Sequence, residues 1–223
     1  MSTHWTLSNI NLYDILCPPK LKDYDKELGN GFSKEDIIYA HDQRDYNVYL
    51  VSKGKVKIVN YDDDGNEIVR QILLKGEVFG EHILLDKDKR TEYAVAYTNN
   101  TRVCAMNLTR MRDLMRENER FEVTIYKLIG WKLKKIQRRL DLLLGKDVVG
   151  RVSSFIYDLH LENDKELTFP LAFTHTDIAK LLATSRESVS KIFNQLKNKG
   201  ILDYTRKEIQ LKDVEQLVEF AKL

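Results

Sequence analysis

The sequence predicts an α+β chain in three parts: an antiparallel β-roll of the jelly-roll kind, one long helix, and a carboxy-terminal winged helix-turn-helix. Three observations carry this expectation. Short β-rich runs punctuated by turn signals fill the region from Ile37 to Met106. A stretch from Phe121 to Leu144 has no proline and a single glycine, Gly130. Two amphipathic segments then meet at a tight turn near Ala183. The expected parts are residues 1–120, 121–145 and 146–223.

In the first part, Val48 to Val51, Val56 to Val59, Ile68 to Leu74, Tyr93 to Tyr97 and Arg102 to Met106 read as strands. Lys53-Gly54, Asp62 to Asn66, Lys75-Gly76-Glu77 and Asn99-Asn100 separate them as turns. Strands this short, with turns between them, pair antiparallel and close into a small roll or barrel. Asp62, Asp63 and Asp64 read as a solvated hairpin tip rather than a metal site.

In the helix, Tyr126, Ile129, Leu133, Ile136, Leu140 and Leu143 recur at alternating spacings of three and four, the a/d rhythm of a coiled coil. Such a seam predicts pairing with a second copy of the chain; the alternative is a helix packed only on its own barrel. Lys132, Lys134, Lys135, Arg138 and Arg139 fill the outer faces and are expected to be solvated.

In the third part, Ile178, Leu182, Val189 and Ile192 form the hinge core of two crossing helices, and Ala179 is small enough to let them approach. Ser185 suits the cap of the second helix. The turn after it exposes Arg186, Glu187, Ser190 and Lys191, residue types that read base edges in a major groove. Arg and Lys donate to guanine O6 and N7, and Glu accepts from cytosine N4. Gly200 closes the second helix, and Ile201 to Leu211 reads as two strands around a charged turn, the wing. Ala183 stands at a turn position usually held by glycine, where a left-handed alanine costs about 1 kcal/mol. Any two amphipathic helices with a short turn share part of this pattern; the cap, the exposed residue types and the wing point further, to DNA.

With 43% hydrophobic and 31% charged residues over 223 positions, the chain reads as a globular protein with room for two ordinary domains. A net charge of +2 attracts nucleic acid only weakly, and residues 146–223 balance 12 Lys/Arg against 12 Asp/Glu. Attraction must therefore be local. Residues 185–199 hold Arg186, Lys191, Lys197 and Lys199 against Glu187, a net of +3. Cys17 and Cys104 are far apart with no CxxC pair, which argues against a disulfide framework, a zinc site or an iron-sulfur centre. No charged start precedes a long apolar core, and no run of about 18 apolar residues occurs. No membrane association and a cytoplasmic location are expected.

In this order, roll, long helix and winged helix-turn-helix resemble the cAMP receptor protein and FNR family of bacterial transcription regulators over most of the chain. Gly76-Glu77-Val78-Phe79-Gly80-Glu81 is similar to the opening of that family's phosphate-binding cassette. Asp147-Val148-Val149-Gly150-Arg151-Val152 is similar to the hinge and start of its DNA domain, and Ser185-Arg186-Glu187-Ser188-Val189-Ser190-Lys191 to its recognition helix. The resemblance implies a cyclic-nucleotide-binding-like roll, a homodimer on a palindromic site in double-stranded DNA, and RNA polymerase as a partner. Arg186, Glu187 and Lys191 fall where family members read a TGTGA-like half-site. Lys191 replaces the more usual arginine, and a point charge makes a weaker, less selective contact there. Ser185 and Ser188 fall on phosphate-contacting positions, and His175 where the first helix approaches the DNA backbone.

The same resemblance implies an effector pocket. Glu81 corresponds to the glutamate that holds the ribose, and Arg90 with Thr91 to the arginine and hydroxyl residue that hold the cyclic phosphate. Ile136 and Gln137 fall where two residues read the adenine, Thr and Ser in the cAMP receptor protein. Isoleucine cannot hydrogen-bond a base edge, and Glu92 sets a carboxylate where a small residue is usual, which repels a phosphate. Cyclic AMP is therefore not the expected effector; an unidentified small molecule, or none, is.

Two alternatives stay open. His82 falls where the carbon-monoxide-sensing haem regulator of the family carries an iron ligand, which would make the chain a haem-based gas sensor. That relative's cysteine two positions earlier is Gly80 here, and the cysteine cluster of the FNR iron-sulfur centre is absent. The other alternative is a cupin-like metal-dependent enzyme with an accessory DNA-binding domain, which needs two or three histidines on neighbouring strands. His4, His41, His82, His160 and His175 are scattered, and no Ser/His/Asp or Cys/His constellation can be assembled. Neither a metal site nor catalytic residues are expected.

Overall fold

The structure, a computed structural model, describes residues 30–85 and 89–222; Cys17 and His4 lie outside them. The chain divides into two compact units that meet between Leu128 and Ile129.

Among the described residues the first unit is built on eight strands. These are β1 (Asn30–Phe32), β2 (Ile37–Tyr39), β3 (Asn47–Lys53), β4 (Val56–Tyr61), β5 (Glu67–Leu73), β6 (Val78–Phe79), β7 (Tyr93–Ala96) and β8 (Thr101–Asn107). They pair into two four-stranded sheets, ordered β1-β8-β3-β6 and β2-β7-β4-β5, with antiparallel ladders. Tyr39, Tyr49, Ile58, Leu73, Phe79 and Val103 bring the sheets together as one buried cluster. A 3-10 helix at Glu81–Leu85 follows β6, and α1 (Leu108–Glu117) follows β8, capped by the Asn107 side chain.

The five strands expected from sequence are present within a residue or two at each end. β1, β2 and β6 were not expected; at two or three residues each they are too short to show a period of two. The acidic hairpin tip folds on itself: Asp62 accepts from the backbone N–H groups of Asp64 (3.1 Å) and Asn66 (2.8 Å). Those donors, the Asn66 backbone first, hold its carboxyl below the usual carboxylate range.

Helix α2 (Glu119–Gly145) runs unbroken for 27 residues across the unit boundary. It buries Phe121, Ile125 and Leu128 in its first half and Leu142 near its end. The stripe of Tyr126, Ile129, Leu133, Ile136 and Leu140 points outward, each residue between 44% and 57% exposed, while Leu143 is half-buried.

The second unit continues with α3 (Val148–Glu162), β9 (Thr168–Pro170), α4 (His175–Leu181), α5 (Arg186–Asn198), β10 (Leu202–Tyr204), β11 (Glu208–Leu211) and α6 (Val214–Ala221). The wing hairpin β10-β11 is extended by β9 into a three-stranded sheet. One expectation for α2 is corrected. Arg138 is not a solvated cation: its Nε and Nη2 donate to the two oxygens of Asp158 at 2.9 and 3.0 Å, and the Asp158 side chain is only 2% exposed. The pair ties α2 to α3, and a carboxylate so deep requires such a partner.

Candidate nucleic-acid interface

The two helices of the candidate reading head are each started by a side-chain cap. Thr174 and Asp177 form a capping box on α4, and Ser185 Oγ accepts from the Ser188 N–H at 3.1 Å on α5. Ile178, Ala179, Leu182, Val189 and Ile192 are all buried between them, as the sequence spacing requires. Between the helices Ala183 takes a left-handed conformation, φ 49°. Arg151, on α3, donates from Nη1 to the Leu182 carbonyl at 2.7 Å, and the Ala183 carbonyl lies 3.4 Å away. The strained turn is thus held from behind by a charged donor.

The turn leaves Arg186, Glu187 and Lys191 exposed on the first two turns of α5, while Val189, Phe193 and Leu196 bury its other face. Ser190 stands differently from these three. It is half-buried, and its hydroxyl lies 2.9 Å from Nδ1 of His175. The His175 ring packs against Phe193 (4.6 Å between centroids) and Tyr204 (5.6 Å), so it joins first helix, recognition helix and wing. Burial, then the nearby Arg186 charge, lowers the His175 pKa and favours the neutral ring. Ser185 and Ser188 lie side by side at the start of α5, their hydroxyl oxygens 3.0 Å apart.

Lys197, counted in the basic stretch, is engaged: its ammonium lies 2.7 Å from Asp203 on β10, which also has Lys212 at 3.7 Å. The wing turn offers cations that sequence reasoning saw only as a charged turn. Thr205 Oγ1 accepts from the N–H groups of Lys207 and Glu208, both at 3.2 Å, and so leaves Arg206 and Lys207 exposed at the tip.

The candidate effector residues are not assembled alike. Glu81, Arg90 and Thr91 belong to the roll; Ile136 and Gln137, both exposed, belong to the second unit. Thr91 is exposed, whereas Arg90 is a core residue. Its Nε and Nη2 donate to Asp45 Oδ2 at 3.2 and 2.9 Å, Nη1 donates to the Gly80 carbonyl at 2.6 Å, and Nη2 also donates to the Asn47 carbonyl. The guanidinium lies 4.4 Å from the centroid of the Tyr39 ring. Glu92 accepts from the Tyr39 hydroxyl at 3.1 Å, and burial followed by the Glu92 charge pushes the Tyr39 pKa up. His82 Nδ1 stands 3.8 Å from Glu92 on a side chain 55% exposed. Among the described residues no group of three or more His, Cys, Asp or Glu could hold a metal ion.

Two domain families match the chain: the cyclic nucleotide-binding domain over residues 31–118 and the Crp-like helix-turn-helix domain over residues 150–220. Over 196 residues the chain is 29% identical to Vfr, a cAMP-activated global transcriptional regulator of Pseudomonas aeruginosa, covering 82% of this chain and 91% of that one. It is 25% identical over 195 residues to a CRP-like cAMP-activated global transcriptional regulator of Mycobacterium tuberculosis, covering 86% and 87%. Its fold is shared with a CooA mutant from Carboxydothermus hydrogenoformans, with a TM-score of 0.78 at 23% identity over 97% of this chain and 98% of that one.

A β-roll followed by a long helix and a winged helix-turn-helix defines a DNA-binding transcription regulator. Both domains are ones that the cAMP receptor protein and FNR family of such regulators combines, and the chain is similar to members of that family along most of its length. Proteins of this family regulate transcription and are not enzymes, so the cupin-like reading falls away. They bind DNA and typically act as homodimers. No helix among the described residues is long and apolar enough to cross a membrane.

Proposed function

We propose that the chain works as a cytoplasmic homodimer that places α5 of each copy in successive major grooves of a palindromic promoter site. Arg186, Glu187 and Lys191 read base edges, Ser190 adds a contact beside His175, and Ser185, Ser188 and His175 meet the phosphates. The observation that carries the dimer is the outward stripe on α2, where Tyr126, Ile129, Leu133, Ile136 and Leu140 stand exposed at a/d spacing on a helix that buries Phe121, Ile125, Leu128 and Leu142 elsewhere on its surface. An apolar row of that length needs a cover of matching shape, and a second copy of the same helix supplies one. Pairing about a two-fold axis relates the two reading heads as a palindrome relates its half-sites.

Residues 1–120 are the signal-receiving part, 121–145 the pairing helix and 146–223 the DNA-binding part. A signal acts by favouring one of two arrangements of the helix pair, in which the recognition helices match or miss the groove spacing. RNA polymerase is the partner on the promoter. The test is selection of binding sites from random duplex DNA, followed by light scattering of the complex. Two copies on a palindrome with half-sites about one helical turn apart is the expected result; one copy on a single half-site would refute it.

A further inference from the structure

We propose that Asp45 takes the place of a cyclic phosphate on Arg90, so that the roll's anion site is filled from within and DNA binding does not depend on a cyclic nucleotide. A guanidinium has five N–H donors, and a site for a phosphodiester must turn at least two of them toward the ligand. Arg90 has four already placed: two on Asp45 Oδ2, one on the Gly80 carbonyl and one on the Asn47 carbonyl. Its side chain is 3% exposed and that of Asp45 5%.

The acceptor is as fully committed as the donor. Asp45 Oδ1 takes the Asn47 N–H (3.1 Å) and the Asn47 Nδ2 (2.8 Å), and Oδ2 takes the Tyr49 hydroxyl (2.8 Å) besides the two bonds from Arg90. A carboxylate and a cyclic phosphodiester both carry one negative charge and offer two oxygens to a guanidinium. Asp45 thus supplies in the chain what a nucleotide would bring from solution. Displacing it would leave a buried carboxylate unpaired, and binding beside it would set like charges together. Glu92, with its side chain 12% exposed, adds a second negative charge near this cluster, on the Tyr39 hydroxyl.

The backbone is fitted to the internal pair. Gly80 has φ +79°, and a Cβ there would come within 3.0 Å of Arg90 Nη1 and 3.2 Å of the Asn47 carbonyl. The residues that resemble a phosphate cassette therefore do not fit a phosphate: the arginine is turned into the core.

The statement about the roll stands without any reading of DNA; the statement about DNA rests on the function proposed above. Calorimetry on full-length protein, shown by native mass spectrometry to carry no added mass, tests the first. Cyclic AMP and cyclic GMP at up to about 1 mM should give no binding. Asp45→Asn, which keeps the shape and removes the charge, should bind at least about tenfold more tightly than wild type. Micromolar binding by wild type that is lost in Arg90→Gln overturns the proposal, as does a folded Asp45→Asn with no gain. Should that variant fail to fold, the 15N resonance of wild-type Arg90 Nε decides: unmoved by about 1 mM cyclic AMP it supports the internal pair, and a saturable shift overturns it. Gel shifts on the selected palindrome test the second statement, with affinity expected to change less than about twofold on adding cyclic AMP. A rise of about tenfold or more overturns it, whereas failure to bind any duplex would sink the proposed function and leave the calorimetric result standing.

Discussion

Arg151 holds the Leu182 carbonyl at 2.7 Å, and with it the left-handed Ala183 on which the angle between α4 and α5 depends. Replacing Ala183 by glycine removes the Cβ that makes φ 49° costly, and should stabilise the DNA-binding unit by about 0.5–1 kcal/mol. Arg151→Met leaves that carbonyl without its charged donor and should cost about 1–3 kcal/mol. Urea unfolding of both variants measures this; equal stability of Arg151→Met and wild type would show that the turn does not need its support.

The apolar stripe on α2 makes the assembly testable with one double substitution. Leu133→Asp with Leu140→Asp sets two charges into a seam that pairing would dry, at a cost of several kcal/mol, and should give monomer or aggregate. Light scattering at micromolar concentration reads the outcome, and a wild-type monomer there would refute the seam.

Base reading and phosphate contact separate by salt and sequence. Arg186→Ala should lose about 1–3 kcal/mol on the selected site and relax the preference at one guanine. Arg206→Ala, at the wing tip, should weaken all duplexes alike and lower the salt slope by about 1. Lys197→Ala should do less than Arg206→Ala, because Asp203 already engages its ammonium. Equal losses on specific and random DNA for Arg186→Ala would show that it does not read a base.

The Arg138–Asp158 pair sets a third comparison. Arg138→Met removes the two-point partner of a carboxylate that is 2% exposed and should cost about 3–5 kcal/mol, whereas Arg138→Met with Asp158→Leu should recover most of that loss. Thermal unfolding of the two variants gives the answer, and a double variant no better than the single would mean the penalty is not the buried carboxylate left without Arg138.

His175 makes the DNA-binding unit sensitive to mild acid. Its pKa is lowered in the folded state, so between that value and about 6.5 the unfolded chain binds more protons than the folded one. Stability present above about pH 6.5 should fall as pH drops through this window and level off below the folded value. His175→Gln should remove that step. An NMR titration of His175 at or above the ordinary histidine value would contradict it.

The long strands of the roll, the heptad on α2 and the core of the helix-turn-helix were legible because each is a local pattern. A period of two, of three-and-four, or a cap before an apolar run reports backbone conformation and the face that will be buried, and needs no knowledge of the partner. Even the strained alanine was visible, since Ala183 stands at a turn position usually held by glycine.

What the sequence determined by itself is therefore the order of parts, the apolar faces, and the exposed row Arg186, Glu187 and Lys191. Only the tertiary structure decided which charges are spent inside the fold. From sequence Arg90 resembles a phosphate ligand and Arg138 reads as a solvated cation; in space Asp45, forty-five residues before the one, and Asp158, twenty residues after the other, lie within hydrogen-bond reach. Ser190 shared the reading face by its position on the helix, and only the packing of His175 against Phe193 and Tyr204 gave its hydroxyl an internal partner. The short strands β1, β2, β6 and β9 exist for a similar reason, because two or three residues become a strand only when a neighbouring edge pairs with them. Periodicity is carried by neighbours in the chain. Pairing of charges and strand edges is set by distances in space that the packed core alone imposes.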